Sequence, residues 1–237
     1  MVEILTREVK TVWGSTIQMH HRKDTNDSMV IEAVMEADEY GAKNINYNDG
    51  DVFIDLGSHL ATWAILMAIK NPTFKVYAFE AIPDNFELMK QNIALNNLTN
   101  VYPFNLAVSD VSDVITKIYH NAPSEDYFVT AHRFIGTLFS PTEVNYYETP
   151  SISLRDIFLR NNITKVKVIK TDCEGCELKG FPTLTPEMLQ NIGYVVGEYH
   201  AYGMSMEDFY GIFKPYFDRT DPHGNDLQNF VFKNKGV

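Results

Sequence analysis

Apolar residues along this chain fall into short runs separated by turn signals, and the runs alternate between two periods. Val52-Phe53-Ile54 is a continuous apolar run bounded by Asn48-Asp49-Gly50 and reads as a buried strand. Behind it Trp63, Leu66, Met67 and Lys70 stand at helical spacing, with Ser58 placed to cap that helix. Lys75 to Phe79 repeats the strand pattern. Phe86, Met89 and Ile93 repeat the helical one, opened by Pro83 and a D-x-x-E capping box from Asp84 to Glu87. Val101 to Val108, loosened by Pro103, is a third strand; Val166 to Lys170 is a fourth, Ile192 to Val196 a fifth, Leu227 to Phe232 the last. Strand and helix alternating at this pitch predict right-handed βαβ crossovers and a doubly wound, Rossmann-like parallel sheet of the α/β class.

The flanks are less regular. Residues 1–50 open with a hairpin, Glu8 to Thr11 and Thr16 to Met19, around Trp13-Gly14-Ser15. A helix carrying Val30, Ile31, Val34 and Met35 on one stripe follows, with Gly41 as its stop. This segment is expected to lie against the main sheet as a flap over its crevice. Val114 to Tyr119 reads as a strand, whereas Asn121 to Pro150 has no clear period, and a loop of that length predicts a substrate-side lid. Ser153 caps a helix running to Leu159, Leu184 to Gln190 is a short helix, and Met206, Phe209, Phe213 and Tyr216 share a helix face before the turn Asp221 to Asn225. No repeat or linker interrupts the chain. It is read as one domain, 1–237, with a flap over 1–50 and the core over 51–237.

Composition narrows the partners. A net charge of −11 opposes broad binding to nucleic acid or to anionic membranes. The start of the chain lacks the apolar core of a signal peptide, and the longest apolar run, Trp63 to Ile69, is far short of the roughly 20 residues that span a bilayer. Two cysteines make no disulfide framework, so a cytoplasmic setting is expected. They stand as Cys173-Glu174-Gly175-Cys176, a C-x-x-C read here as two semi-buried thiols rather than a redox centre.

Four strands end in acids: Asp55, Glu80, Asp172 and Glu198. Parallel strand ends share one edge, so these carboxylates converge on one rim, where open α/β sheets bind ligands. Glu80 follows Asp55 by 25 residues (80 − 55), the interval of a second-strand acid that accepts hydrogen bonds from ribose hydroxyls. The glycine pattern Asp55-x-Gly57-x-x-x-Ala61 departs from the G-x-G-x-x-G that seats a pyrophosphate. An acid there repels an anion and attracts a cation with an amino group, which suits S-adenosylmethionine.

Three passages then carry a family resemblance. Phe53-Ile54-Asp55-Leu56-Gly57-Ser58 is similar to a D-x-G-A-x-x-G motif, Ala78-Phe79-Glu80-Ala81-Ile82-Pro83 to F-E-P-x-P, and Lys170-Thr171-Asp172-Cys173-Glu174-Gly175-Cys176-Glu177 to K-x-D-x-E-G-x-E. Glu198-Tyr199-His200 resembles the E-x-H that follows them. Together they resemble the FkbM family of class I S-adenosylmethionine-dependent methyltransferases. The resemblance implies a seven-stranded sheet with its last strand antiparallel, and methyl transfer to oxygen, often on a sugar, glycan or secondary metabolite. It implies a cofactor site of Asp55, Gly57, Ser58 and His59 at the methionine end, Glu80 and Ala81 at the ribose, Asn105 and Ala107 near the adenine, and Asp172 beside them. Asp172, Glu174 and His200 would face the acceptor. Ala61 and Ala81 depart from the motifs; Ala61 is expected one turn into a helix with ordinary φ.

A hydroxyl acceptor needs its proton removed, and either His200 or Asp172 suits that role. Asp172, Glu174 and Glu198 could alternatively hold a divalent metal, although no ligand spacing identifies one, and no metal ligand is assigned. The competing functions are an NAD(P)-dependent oxidoreductase on the same scaffold, opposed by the missing glycines, and a non-catalytic nucleoside-binding module.

Overall fold

A hairpin opens the chain, β1 (Ile4–Lys10) paired antiparallel with β2 (Thr16–Arg22), each strand extending three or four residues past the sequence expectation. The structure, a computed structural model, describes residues 2–120, 145–200, 204–220 and 229–237. α1 (Asp27–Ile31) follows and continues as one π-helical stretch, Glu32–Glu36. The helix therefore stops short of the expected Gly41. Asp38 turns left-handed at φ 61°, and its carboxylate accepts the N–H groups of Ala42 and Lys43 at 2.7 and 3.1 Å. Gly41 (φ 65°) thereby opens the short 3-10 turn Ala42–Asn44 instead of closing a helix.

The core runs β3 (Val52–Leu56), α2 (Thr62–Lys70), β4 (Lys75–Phe79), α3 (Pro83–Leu95) and β5 (Val101–Phe104). The next strands are β6 (Ala107–Ser109), β7 (Ile115–His120) and β8 (Asn145–Ser153). α4 (Leu154–Arg160), β9 (Val166–Thr171), α5 (Cys176–Gly180), α6 (Pro186–Gln190) and β10 (Ile192–Glu198) lead into α7 (Met206–Phe213), β11 (Phe217–Arg219) and β12 (Asn229–Asn234). The main sheet has the order β5-β4-β3-β9-β10-β12-β11. β5, β4, β3, β9 and β10 are mutually parallel, while β12 is antiparallel to both its neighbours. Seven strands with an antiparallel last one is the class I methyltransferase arrangement that the sequence resemblance implied. β11, three residues long, has too little pattern to be read from sequence.

Several boundaries differ for identifiable reasons. The third strand does not run to Val108: the chain leaves the main sheet after Phe104, and Asn105 Nδ2 donates to the carbonyls of Glu80 and Ala81 at 2.9 and 3.2 Å. β6 then joins β8 and β7 in a second sheet. Ser58 does not cap α2, because Ser58 Oγ donates to Asp55 Oδ2 (2.6 Å) and the helix begins four residues later. Pro83 occupies the first turn of α3, which puts Asp84 inside the helix and excludes the capping box. Thr185 caps α6, so Leu184 lies outside it, and Tyr216 lies beyond α7. Ser153 caps α4 as expected, accepting the N–H of Asp156 at 3.1 Å. Residues 121–144 of the expected lid, the turn Asp221 to Asn225 and the first residues of the expected last strand lie outside the described residues.

Apolar side chains fill both faces of the main sheet. Phe53, Trp63, Phe74, Val76 and Met89 pack on the face covered by α2 and α3; Ile54, Ile169, Val195, Phe209 and Phe232 pack on the other. The N-terminal segment joins the first cluster through Val9, Met19, Ile31 and Met35. It sits on α2 and α3 rather than on the sheet: Trp13 Nε1 donates to the Leu66 carbonyl (2.9 Å), and fully buried Asn92 bonds both the N–H and the carbonyl of His20. Among the described residues no helix is long and apolar enough to cross a membrane.

Candidate active site

At the carboxyl ends of β3, β4 and β9 lies a concave cleft, where open α/β sheets bind ligands. Gly57, His59, Glu80, Ala81, Asp172 and Glu174 line it, and the N-terminal segment closes one side with Val30, Val34 and Tyr40. Phe79, Ile82, Leu106, Val108 and Ile118 give it an apolar wall, and Asn85 and Lys170 also reach it. Of the residues singled out in the sequence, Asp55, Ser58, Asn105, Ala107 and His200 stand behind this wall instead of in it.

Asp55 is fully buried beneath the glycine turn. One carboxylate oxygen takes the Ser58 hydroxyl; the other lies 3.3 Å from Lys170 Nζ, an ion pair without hydrogen-bond geometry. Lys170 Nζ donates to the Gly57 carbonyl at 2.9 Å and stands 5.5 Å from the centre of the Tyr40 ring. Burial opposes its charge, yet Asp55 and Asp172 outweigh burial and raise its pKa. Lysine in an otherwise apolar strand end was the sequence signal for this role, and it was missed.

Gly57 is required by packing. Its φ is +72°, and a Cβ there would lie 1.9 Å from the Asp172 carbonyl oxygen. The turn after β3 and the end of β9 are thus in direct backbone contact, which brings Asp172 to the cleft. Ala61 is also left-handed (φ 68°), contrary to the expectation of an ordinary helical φ; it is the residue before α2, not one turn inside it. His59, at φ 52°, completes this strained turn.

Glu80, only 5% exposed, bridges two loops. Oε2 accepts the N–H of His59 (2.7 Å) and Oε1 that of Ile82 (2.8 Å). The His59 ring reaches the N-terminal segment, with Nε2 2.9 Å from Arg22 and 3.2 Å from Asp27. Burial would raise the Asp27 pKa, but hydrogen bonds from His59 and Arg22 hold it well below the usual carboxylate range. The flap is therefore clamped to the glycine turn by a buried charged group.

The rim of β9 and β10 is built differently. Asp172 Oδ2 accepts the Tyr40 hydroxyl (2.8 Å). His200 Nε2 lies 3.6 Å from Glu174, 3.8 Å from Asp172 and 4.0 Å from Glu198, and Nδ1 lies 3.3 Å from the fully buried Glu177. Burial works against the imidazolium, but the Glu177 hydrogen bond and the surrounding carboxylates raise its pKa to about 9. Burial and then Asp172 push Glu198 up to about 7, against the pull of His200. Asp172, Glu198 and His200 each offer a donor atom within 4.8 Å of the others, a spacing acidic clusters reach without an ion, and we assign no metal to it. Tyr40 and Glu177 were not read from the sequence as site residues; Tyr40 carries no motif, and Glu177 was the last letter of one.

Cys173 and Cys176 form a disulfide, correcting the expectation of two thiols. Glu174 and Gly175 between them are both left-handed (φ 55° and 105°), which folds the segment back until the two Cα atoms are 5.5 Å apart, a normal span for a disulfide.

No curated protein sequence matches the chain significantly. Among solved structures it is similar to M. capricolum TrmK in complex with S-adenosylhomocysteine, at 13% identity and a TM-score of 0.47, over 82% of this chain and 65% of that one. It is also similar to an rRNA methylase from Streptococcus thermophilus (9% identity, TM-score 0.46, 85% and 95% covered) and to Aeropyrum pernix fibrillarin with S-adenosylmethionine (11%, 0.42, 99% and 100%). The chain thus spans about two thirds of the TrmK structure's length. Residues 47–210 match the profile of the methyltransferase FkbM domain, well over half of the chain and every strand of the rim just described. The protein belongs to the FkbM family of class I S-adenosylmethionine-dependent methyltransferases.

Proposed function

We propose that the protein transfers a methyl group to a hydroxyl oxygen of a small polar acceptor, a sugar, glycan or secondary metabolite. The observation that supports this most is that one cleft is lined both by a nearly buried carboxylate, Glu80, and by the titratable cluster at Asp172 and Glu174. The first suits a ribose diol, the second a hydroxyl that must lose a proton. The chain is read as one domain, 1–237, whose first 50 residues complete the cleft.

The residues fit the cofactor. Glu80 would hold the ribose, Phe79, Ile82, Leu106 and Val108 offer apolar walls to a purine, and Gly57 and His59 bound the methionine end; Asp55, Ser58, Asn105 and Ala107 would shape these groups from behind. S-adenosylmethionine supplies an electrophilic methyl group on a sulfonium. Asp172 lines the cleft and takes the acceptor's hydrogen bond, while Glu198 behind it, at about 7, is suited to hold the proton near neutrality. His200, at about 9, is a cation near neutral pH and balances the carboxylates instead of acting as the base. Alignment of the hydroxyl is the larger lever, worth up to roughly 7–11 kcal/mol in favourable cases.

The test is calorimetric titration of S-adenosylmethionine, and separately NAD, into the protein and its Glu80→Ala variant, followed by mass spectrometry of sugar and polyol acceptors. Saturable binding of the first alone, weakened in the variant, and a methyl ether product support the reading. Methylation of RNA, or of nitrogen or carbon in place of oxygen, overturns the acceptor assignment.

A further inference from the structure

Methyl transfer leaves the C-x-x-C segment without a role, yet both of its cysteines are among the residues that line the cleft with Asp172 and Glu174. Cys173 is partly exposed and Cys176 is buried. The cross-link closes the loop between β9 and α5, which carries all the acceptor-side carboxylates except Glu198. Cys173 Sγ lies 3.3 Å from Glu177 Oε2, the carboxylate whose other oxygen takes the backbone N–H of His200 at 3.2 Å. Gly175 N donates to the same Oε2 at 3.1 Å. One carboxylate therefore joins the cross-linked loop to the His200 cluster.

We propose that Cys173–Cys176 is a reversible thiol-modification site in the acceptor wall, reduced by a dithiol, that sets how firmly Asp172, Glu174 and His200 are held. A thiolate of the dithiol attacks the partly exposed Cys173 sulfur; the protein S–S bond breaks and Cys176 leaves as a thiolate, which takes a proton. The second thiol of the reductant then displaces Cys173. The protein gains two electrons and two protons, and the reductant becomes its own disulfide. Glu174 is a non-glycine residue in the left-handed region, a conformation L residues rarely adopt, and the cross-link is what closes the chain around it. Opening the bond releases that residue first. The reduced Cys173 thiol also gains a hydrogen that it can donate to Glu177, drawing negative charge away from His200.

The inference rests on reading Asp172 and Glu174 as acceptor-side groups, but its test does not require the acceptor. The intact protein is equilibrated in oxidised and reduced dithiothreitol buffers, alkylated, and its thiols counted by mass spectrometry while circular dichroism reports the fold. Amide exchange over 172–177 and the NMR titration of the His200 ring are measured in both states. We expect two thiols to appear together in folded protein, the Gly175 and Cys176 amides to exchange on the order of tenfold faster on reduction, and the His200 titration to move to lower pH, all reversed by reoxidation. The double variant Cys173→Ser, Cys176→Ser should hold the fast-exchange state whatever the buffer. Two free thiols in air-equilibrated native protein, reduction only on unfolding, or reduction that leaves both amide exchange and His200 unmoved would each overturn the proposal. S-adenosylmethionine titrated into the two states separates the readings: no binding in either removes the function proposed above and leaves the thiol result standing.

Discussion

Two stretches of the same sheet edge carry acids and treat them in opposite ways. At the ends of β3 and β4, each carboxylate is met by donors or a cation: Asp55 by the Ser58 hydroxyl and the charge of Lys170, Glu80 by the N–H groups of His59 and Ile82. At the ends of β9 and β10, Asp172, Glu174 and Glu198 gather around the single imidazole of His200. Donors pre-formed around a charge make a rigid site, as a cofactor shared by a whole family requires. Like charges crowded around one cation make a site whose protonation changes near neutrality, as a proton-removing step requires.

The sharpest way to break the contrast is to pry the two stretches apart. Gly57→Ala puts a methyl group 1.9 Å from the Asp172 carbonyl in a residue already at positive φ, and neither backbone can yield without moving a strand end. We expect a loss of about 4 kcal/mol or more, read by urea denaturation, with cofactor binding abolished. A variant of near wild-type stability would show that the contact does not organise the rim. Lys170→Met is next. It leaves Asp55 charged and fully buried with its cation gone, at a cost of about 3 kcal/mol or more. Adding Asp55→Asn should recover much of that loss, and a double variant as unstable as the single one would refute the pairing.

The sequence made one half of this contrast readable and not the other. Asp55 and Glu80 follow short continuous apolar runs, so their place on the rim follows from strand topology alone. The seven strands with an antiparallel last one were implied by the family resemblance, and their order came only with the structure. Tyr40 reaches Asp172 from 132 residues away through a hydrogen bond that no local pattern encodes. Left-handed Ala61 was misread because helical spacing says where a helix lies but not how the chain enters it. His200 looked suited as a base on its intrinsic pKa, since three of the four carboxylates around it come from the distant stretch 172–177, brought to it only by folding. The disulfide was missed for a similar reason: composition argues about compartments, whereas the left-handed pair Glu174-Gly175 decides whether two sulfurs can meet.

A smaller effect tests the cofactor half. Glu80→Gln keeps the shape of the side chain but replaces one acceptor oxygen by a donor amide, which faces either the His59 or the Ile82 N–H. A ribose hydroxyl then meets a neutral amide in place of the carboxylate, and losing a hydrogen bond to that charged group costs about 1.5–3 kcal/mol, or roughly 10- to 150-fold in S-adenosylmethionine affinity by calorimetry. Unchanged affinity would place the ribose elsewhere.

The smallest effect sharpens the other half, and its direction follows from the two shifted groups. The folded pKa of His200, about 9, lies above its ordinary 6.5, so its contribution to stability is complete below pH 6.5 and is lost as pH rises through 9. Glu198, raised from 4.5 to about 7, favours its protonated form in the fold; its contribution is present below pH 4.5 and is lost as pH rises through 7. Both therefore weaken the protein on going from pH 5 to pH 9.5, by about 2 kcal/mol together once the mutual coupling of the cluster is discounted. Asp27, held low by Arg22 and His59, has the opposite sense and acts only in acid, where its protonation undoes the clamp on the glycine turn. Urea midpoints measured from pH 5 to 9.5 should fall in two overlapping stages, the first ending near 7 and the second running from about 6.5 to about 9. Glu198→Gln should erase the first stage and His200→Gln the second. A midpoint flat across that range, or a second stage that survives His200→Gln, would mean that the carboxylates around His200 are relaxed by solvent, and the contrast between the two stretches of the rim would be one of geometry alone.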